Sequence, residues 1–337
     1  MAGRRSPEKR RAFRLKLARN LVLVLAATEL LLRLVLGNFA QSRLLRHSEV
    51  PDICLETTPD LDLSYTGWLL RTGATRMRTN SLGGRGGEVQ PKPPGALRVV
   101  HIGDSFAFGQ GVEEEESFAA VSTRELSMER LTVDTLNFGV PGHGTPQSIA
   151  LLEHKLLPLD PDVVLLHVFA NDLTAEDSYC LRGPRQGKRK AERWLLQNVY
   201  SARVLAILSS PFRQIPSPEN LAELGTPEDR YIAAIARGAE LARAGDFLFA
   251  VVLLTDRDMF TESRYCRGCA APHDLMDGLD AHVIDLSSTW ERLQEDKGTN
   301  YIFGEGHFSV EGSLVVGTAI AEQLRVWPAF AKRAAAP

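Results

Sequence analysis

From residue 97 onward the chain alternates short apolar runs with segments of helical periodicity. Runs rich in β-branched or apolar residues predict strands over 97–102, 132–138, 162–169, 247–254 and 282–286. Apolar positions recur at helical spacing over 117–129, 146–157, 190–209, 227–244 and 310–325. Near-continuous apolar strands separated by helices are typical of a parallel sheet that is covered on both faces. The pattern therefore predicts a three-layer α/β/α sandwich around a roughly five-stranded, doubly wound parallel sheet.

The first 40 residues follow a different pattern. Residues 1–19 carry eight basic side chains against one acid, Glu8, and form a predicted cytoplasmic tail. Residues 20–40 are apolar and reach the length of roughly 20 residues that a transmembrane helix needs. Because a basic flank stays cytoplasmic, we expect an uncleaved signal anchor with the rest of the chain across the membrane. A cleavable signal peptide is the alternative, although its apolar core is usually only about 7–15 residues long.

Two charged residues interrupt this predicted span. Glu29 and Arg33 lie four positions apart with the acid first, so they share a helix face and can pair. Pairing lowers the cost of burying them, which favours a tolerated pair. The alternative is contact with a membrane partner, such as a component of an envelope complex.

Composition divides the remainder of the chain. Residues 41–95 are polar and rich in turn formers, and they predict a juxtamembrane spacer that packs only partly on the main domain. The main domain is predicted over 96–328, and 329–337 form a C-terminal tail. The formal net charge of -3 gives no case for nucleic-acid binding. No Walker loop and no His-Glu-x-x-His motif occurs, and we predict no cofactor.

The cysteines are Cys54, Cys180, Cys266 and Cys269, and all of them follow the predicted anchor. An oxidising compartment favours a disulfide somewhere among them, with a connectivity that the sequence does not give. Zinc is the alternative for "CRGC" together with His273, but one cysteine pair and one histidine are an incomplete ligand set. We therefore predict no metal site.

Polar residues follow three of the predicted strands. The first strand runs into "GDS", whose serine is Ser105, and Gly139 comes one residue after the second strand. Asn171 lies at the end of the third strand, and His307 lies in the loop before the last helix. Because ligands of open α/β sheets bind beyond the carboxyl ends of the strands, we expect these residues to form one site.

The residue types suit acyl transfer. Ser105 is a weak nucleophile until a base takes its proton, and His307 is the natural base near neutral pH. The oxyanion of a tetrahedral intermediate needs preorganised donors. The backbone N–H groups of Ser105 and Gly139 and the side-chain amide of Asn171 are the predicted oxyanion hole.

These motifs resemble the SGNH (GDSL) hydrolase superfamily over roughly residues 97–328, and they are most similar to its bacterial membrane-anchored members. The signature residues of that family match Ser105, Gly139, Asn171 and His307 in the same order. The family's usual Asp, three residues before the His, is Gly304 here. Other members carry the acid two residues before the His, where this chain has Glu305. The resemblance implies that Glu305 orients His307, with a backbone carbonyl as the alternative.

The resemblance and the predicted topology together imply a function. We expect a serine esterase in the bacterial inner membrane, with its catalytic domain on the periplasmic side. The expected substrates are O-acyl groups of cell-envelope glycans, followed by lipid esters. The alternatives are an O-acyltransferase that uses the same site and a catalytically silent member that binds glycan or acts as a scaffold.

Neighbouring residues have more ordinary interpretations. We expect Asp104 to cap the helix after the first strand and Asp172 to fix the loop around Asn171. The acidic run 113–116 predicts a solvated helix start, since acids are favoured near helix N-termini. His143 is expected to be a surface loop residue, with substrate contact as the alternative.

Overall fold

The chain divides into two compact units. One comprises residues 1–42 and 184–214, and the other comprises residues 43–183 and 215–337. The computed structural model describes residues 7–35, 44–50, 52–65, 75–128, 131–172, 199, 225–258, 270–295 and 306–335. The predicted helix over 190–209 therefore lies outside the described residues, apart from residue 199.

Apart from residue 199, the described part of the first unit is one helix, α1 (Pro7–Val35). The apolar side chains from Leu21 to Leu25 on this helix are exposed. Among the described residues, no helix combines the length and the apolar character that crossing a bilayer requires. Residues 36–40 of the predicted span lie outside the described residues, and the membrane anchor stays a prediction.

The second unit begins with two small antiparallel sheets. Strand β1 (Leu45–His47) pairs with β2 (Leu55–Thr57), and β3 (Asp62–Tyr65) pairs with β4 (Thr75–Arg78). We call the described residues of 44–65 and 75–90 the N-terminal arm. The sequence did not predict these strands, because runs of three or four residues are too short to show a clear alternation.

A five-stranded sheet follows and confirms the predicted architecture. Its strands are β5 (Leu97–Gly103), β6 (Val133–Gly139), β7 (Val163–Val168), β8 (Leu248–Leu253) and β9 (His282–Asp285). All neighbouring pairs are parallel, and the order is β6-β5-β7-β8-β9. The buried β5, β7 and most of β8 carry apolar side chains on both faces, as a sheet covered by helices requires.

Helices cover both faces of this sheet. They are α2 (Ser105–Phe108), α3 (Phe118–Ser127), α4 (Thr145–Leu151), α5 (Pro227–Gly245), α6 (Pro272–Leu275), α7 (Ser287–Glu295), α8 (Val310–Val326) and α9 (Pro328–Ala334). Helix α3 packs on α8, and α4 packs on α5. The His167 ring contacts Phe118 of α3, whereas Phe249 lies against Gly238 of α5. Val252 of β8 pairs with His167 of β7, so these two side chains lie on the same face of the sheet. Phe249 is three residues from Val252 in the same strand and therefore lies on the other face. The two helix pairs thus cover opposite faces.

The strand order creates a crevice at one place on the sheet edge. The chain passes from β5 to β6 on one side and then returns to β7 on the other side. In doubly wound sheets this reversal opens a ligand-binding crevice at the carboxyl ends of the two central strands. Those ends here lead into Ser105 after β5 and Asn171 after β7.

The N-terminal arm packs on the main domain more extensively than the sequence predicts. Ile53, Met77 and Arg85 are each at most 5% exposed. The backbone N–H of Arg85 donates to the carbonyl of Asn137 in β6 at 2.7 Å, which joins the arm to the edge of the sheet. The predicted tail is packed as well, because Phe330 of α9 is 1% exposed.

Cys54 is disulfide-bonded, which confirms the prediction of a disulfide among the four cysteines. Cys180, Cys266 and Cys269 lie outside the described residues. Cys54 lies between β1 and β2, so its disulfide constrains the N-terminal arm.

Candidate active site

Ser105 is the first residue of α2, directly after the buried strand β5. Gly103 ends the strand with a φ of 145°, and a Cβ there would lie 2.7 Å from the His167 carbonyl oxygen, so the turn requires glycine. Asp104 caps α2 as predicted, because its Oδ1 accepts a hydrogen bond from the Phe106 N–H at 2.8 Å. The turn leaves the side chain of Ser105 partly exposed at the carboxyl edge of the sheet.

His307 lies against this serine, although 202 residues separate them in the sequence. Its Nε2 is 2.8 Å from Ser105 Oγ. This distance falls within the range expected between a nucleophile and its general base. For Nε2 to accept the serine proton, the ring proton must be on Nδ1.

The environment of His307 is largely apolar. Its ring lies 5.1 Å from the Phe106 ring, and Phe308 packs edge-on against Phe106. Burial lowers the pKa of His307 to about 4, so the imidazole is neutral at neutral pH and able to accept a proton. Within the described residues, its buried Nδ1 has no hydrogen-bond partner. Glu305, the predicted partner of this nitrogen, lies outside the described residues.

Asn171 reaches the nucleophile turn from β7. Its Nδ2 donates to Asp104 Oδ2 at 2.9 Å, which leaves the second amide proton available to a substrate. Asp172 fixes the loop as predicted, because its carboxylate accepts from the Phe169 N–H at 2.8 Å and from Thr145 Oγ1 at 3.1 Å. Burial raises the pKa of Asp104 to about 6, although the hydrogen bond from Asn171 opposes this rise.

Gly139, the third predicted oxyanion donor, has its N–H engaged in the structure. Its N–H already donates to the side-chain oxygen of Asn137 at 3.0 Å. A Cβ at position 139 would lie 2.2 Å from the backbone nitrogen of Phe108, so glycine is required for close packing of β6 against α2. Sequence reasoning could not separate these roles, because close approach and a donor turn both call for glycine.

The loop after β6 offers another amide. Gly142 has a φ of 84°, and its N–H makes no hydrogen bond among the described residues. No atom of the described residues lies within 4 Å of the position that a Cβ would take there. The "PG" of this turn is the sequence signal that marks it.

His143, the next residue of this loop, is buried and is not the surface residue that the sequence predicts. It is 2% exposed, and its Nε2 lies 2.6 Å from the carbonyl oxygen of Leu55. Burial lowers its pKa to about 4, so the neutral ring donates to that carbonyl. His143 therefore connects the N-terminal arm to the loop of Gly142.

Two further histidines, which sequence reasoning missed, lie in the core near the nucleophile turn. His101 Nδ1 is 2.9 Å from His167 Nε2, and the two rings stack with their centroids 5.1 Å apart. Burial lowers the pKa of His101 to about 3 and holds that of His167 well below its usual value. Both rings are therefore neutral at neutral pH, and one donates its N–H to the other.

A second serine and histidine meet at the same sheet edge, also unforeseen from the sequence. Ser287, the first residue of α7, has its Oγ 3.0 Å from His273 Nε2. The same Oγ donates to Asp285 Oδ1 at 2.6 Å, and His273 Nε2 lies 3.5 Å from that oxygen. The hydroxyl proton of Ser287 therefore points to the Asp285 carboxylate and not to His273.

No protein-family model matches the chain, and no curated protein sequence matches it. Several solved structures are similar to it at low identity. The psychrotrophic esterase EstA from Pseudoalteromonas sp. is 12% identical, over 68% of this chain and 97% of that one, with a TM-score of 0.43. The acetylxylan esterase Axe2 from Geobacillus stearothermophilus is 13% identical, over 70% and 96%, with a TM-score of 0.44.

A member of the lipolytic protein G-D-S-L family from Veillonella parvula is 17% identical, over 67% of this chain and 97% of that one, with a TM-score of 0.40.

Proposed function

We propose that this chain is a serine esterase of the SGNH type that works through an acyl-enzyme. The observation that carries the proposal is the 2.8 Å contact between Ser105 Oγ and His307 Nε2 at the crevice of the sheet. A neutral imidazole in that position takes the serine proton while Oγ attacks the ester carbonyl. The protonated ring then gives its proton to the departing alcohol, and a water molecule hydrolyses the acyl-enzyme by the same steps.

The oxyanion needs donors that are in place before the reaction. Ser105 supplies its backbone N–H, and Asn171 supplies the amide proton that Asp104 does not take. We keep the backbone N–H of Gly139 as the third donor, which requires its 3.0 Å hydrogen bond to Asn137 Oδ1 to be exchanged for one to the substrate oxygen. We also assign the orientation of His307 to Glu305, whose carboxylate would accept the Nδ1–H.

Hydrolysis of a small aryl acetate tests this proposal. Ser105→Ala should abolish turnover, since it removes the hydroxyl that contacts His307 and would form the acyl-enzyme. Ser287→Ala is the matched control and should keep the wild-type rate, because its hydroxyl is bonded to Asp285. Undiminished turnover in Ser105→Ala would refute the proposal.

The proposed substrates are O-acyl groups on cell-envelope glycans, with lipid esters as the next class. This choice is supported by the family resemblance and by the predicted topology. Purified enzyme incubated with acetylated envelope glycan should release free acetate, whereas transfer of the acetyl group to an added glycan would identify an acyltransferase. Release of acyl chains from lipid esters alone would reject the glycan assignment.

We further propose that residues 20–40 anchor the protein in the bacterial inner membrane, with the esterase domain in the periplasm. The basic residues of 1–19, the exposed apolar side chains of α1 and the disulfide at Cys54 support this topology. The full-length protein should remain in washed membranes, and a reporter that is active only outside the cytoplasm should be active after residue 337. A soluble protein that lacks residues 1–40 would show a cleaved signal instead.

A further inference from the structure

Arg85 is a buried cation that reaches the nucleophile turn from the N-terminal arm. Arg85 is only 5% exposed, and its guanidinium carbon lies 4.9 Å from the centre of the Phe108 ring. Four carboxylates, Glu113 to Glu116, favour its charged form. Burial lowers the pKa of Arg85 to about 10, which still leaves the guanidinium protonated at neutral pH.

The guanidinium binds the carbonyls that follow Ser105. Nη1 donates to the carbonyl oxygens of Phe108 and Gly109, and Nη2 donates to that of Val112. Asn137 binds the neighbouring carbonyl of Ala107 through its Nδ2 at 2.8 Å. Helix α2 is one turn long, so its last carbonyls have no partners within the helix and need such external donors.

We propose that Arg85 is a positioning residue for Ser105: it fixes the backbone of residues 105–112 so that Ser105 Oγ faces His307. The proposal rests on the function proposed above. The arm that carries Arg85 is then part of the active-site architecture, although Arg85 itself does not touch the substrate.

The local sequence is adapted to a guanidinium at this place. Gly109 has a φ of 76°, and a Cβ there would lie 2.7 Å from Arg85 Nη1, so glycine leaves room for the fork. The planar guanidinium presents several N–H groups in a fixed arrangement, whereas an ammonium is a compact point charge. Lysine at position 85 would keep the charge but could not span the carbonyls of Phe108 and Val112 in the same way.

Kinetics of the full chain carrying Arg85→Lys or Arg85→Gln test this role. Arg78→Ala is the matched control, because Arg78 lies on the same arm but is exposed and pairs with Glu114 at 3.2 Å. The readouts are the rate at which a fluorophosphonate labels Ser105, kcat and KM for an aryl acetate, and circular dichroism as a measure of folding.

We expect folded Arg85→Lys to lose about 10- to 100-fold in labelling rate and in kcat, since a small displacement of a reacting group has effects of that size. KM should stay within about twofold, and Arg85→Gln should be slower than Arg85→Lys because it also loses the charge. Arg78→Ala should match the wild type.

Three results would overturn the role of Arg85. They are a folded Arg85→Lys with the wild-type labelling rate, a higher KM at unchanged kcat, and failure of both variants to fold. The last of these would make Arg85 a folding residue only. If the wild type itself is not labelled, the proposed function fails first, and this outcome is distinct from labelling that is equal in all variants.

Discussion

Two serine–histidine contacts lie at the carboxyl edge of one sheet, and they differ in where the neighbouring carboxylate points. Ser105 and Ser287 each begin a helix after a parallel strand, and each Oγ is within 3.0 Å of a histidine Nε2. Three strand spacings separate β5 from β9, which corresponds to about 14 Å. The sites are therefore separate, and each has an aspartate one or two residues before its serine.

The direction of the aspartate decides what the hydroxyl can do. Asp285 accepts from both the Oγ and the N–H of Ser287, at 2.6 and 2.8 Å. Asp104 instead accepts from the Phe106 N–H and from Asn171, so the hydroxyl of Ser105 remains available to His307. A short serine–histidine distance is thus insufficient to identify a nucleophile, and the direction of the hydroxyl proton is the more informative observation.

The largest expected effect comes from the acid that would complete the first site. Glu305→Gln removes the negative charge from the proposed partner of His307 Nδ1, and turnover should fall by up to about 10,000-fold. Because a carboxylate favours the imidazolium, the acidic limb of kcat/KM should lie at lower pH in the variant than in the wild type.

Glu305→Asp keeps the charge and is the control, with a smaller loss expected. An acidic limb at the same pH in the wild type and in Glu305→Gln, with less than about tenfold loss of turnover, would identify a serine–histidine dyad.

A smaller effect is expected from the donor that only the first site possesses. Asn171→Ala should lower the acylation rate by about 100- to 1000-fold with little change in substrate affinity, as is typical for loss of one oxyanion donor. Stopped-flow measurement of the acylation step separates rate from affinity. A change in affinity alone would make Asn171 a binding residue and remove this distinction between the two sites.

The smallest effect on activity is expected at the second site. Asp285→Asn should leave kcat within about twofold of the wild type but lower the free energy of unfolding by only about 1 kcal/mol, because the carboxylate is 51% exposed. The hydrogen bonds from His273 and Ser287 hold the pKa of Asp285 well below its usual value.

The stabilising effect of the Asp285 carboxylate is therefore fully present at neutral pH. It begins to be lost as the pH falls below about 3.9, the pKa of an aspartate in the unfolded chain, and is gone once the pH falls below the lower pKa of the folded state. Urea unfolding at several pH values checks this. A large loss of activity in Asp285→Asn would mean that the second site contributes to catalysis.

The strands of the core were predictable from the sequence, because burial on both faces demands a continuous apolar run. The run over 247–254, for example, became β8 (Leu248–Leu253). The strand-end rule also predicted that Ser105, Asn171 and His307 lie at one edge of the sheet. In the structure His307 contacts Ser105, and Asn171 binds Asp104, the residue before Ser105.

Long-range contacts made by single side chains were not predictable. Arg85 stands in the glycine-rich sequence "SLGGRGGEV", and its acceptors lie 23 to 27 residues further along the chain. The hydrogen bond from the Gly139 N–H to the Asn137 side chain could not be predicted either, because the sequence does not indicate which backbone group an asparagine in a strand will bind. Such contacts depend on how the arm and the loops meet, which periodicity does not describe.

The most direct test of the account is to locate the serine that reacts with a fluorophosphonate. The full-length protein is labelled at neutral pH, digested, and the modified peptide is identified by mass spectrometry. We predict modification of Ser105 alone, with Ser287 unmodified and no labelling in Ser105→Ala. Labelling of Ser287, or a folded wild-type protein that does not react, would contradict the account.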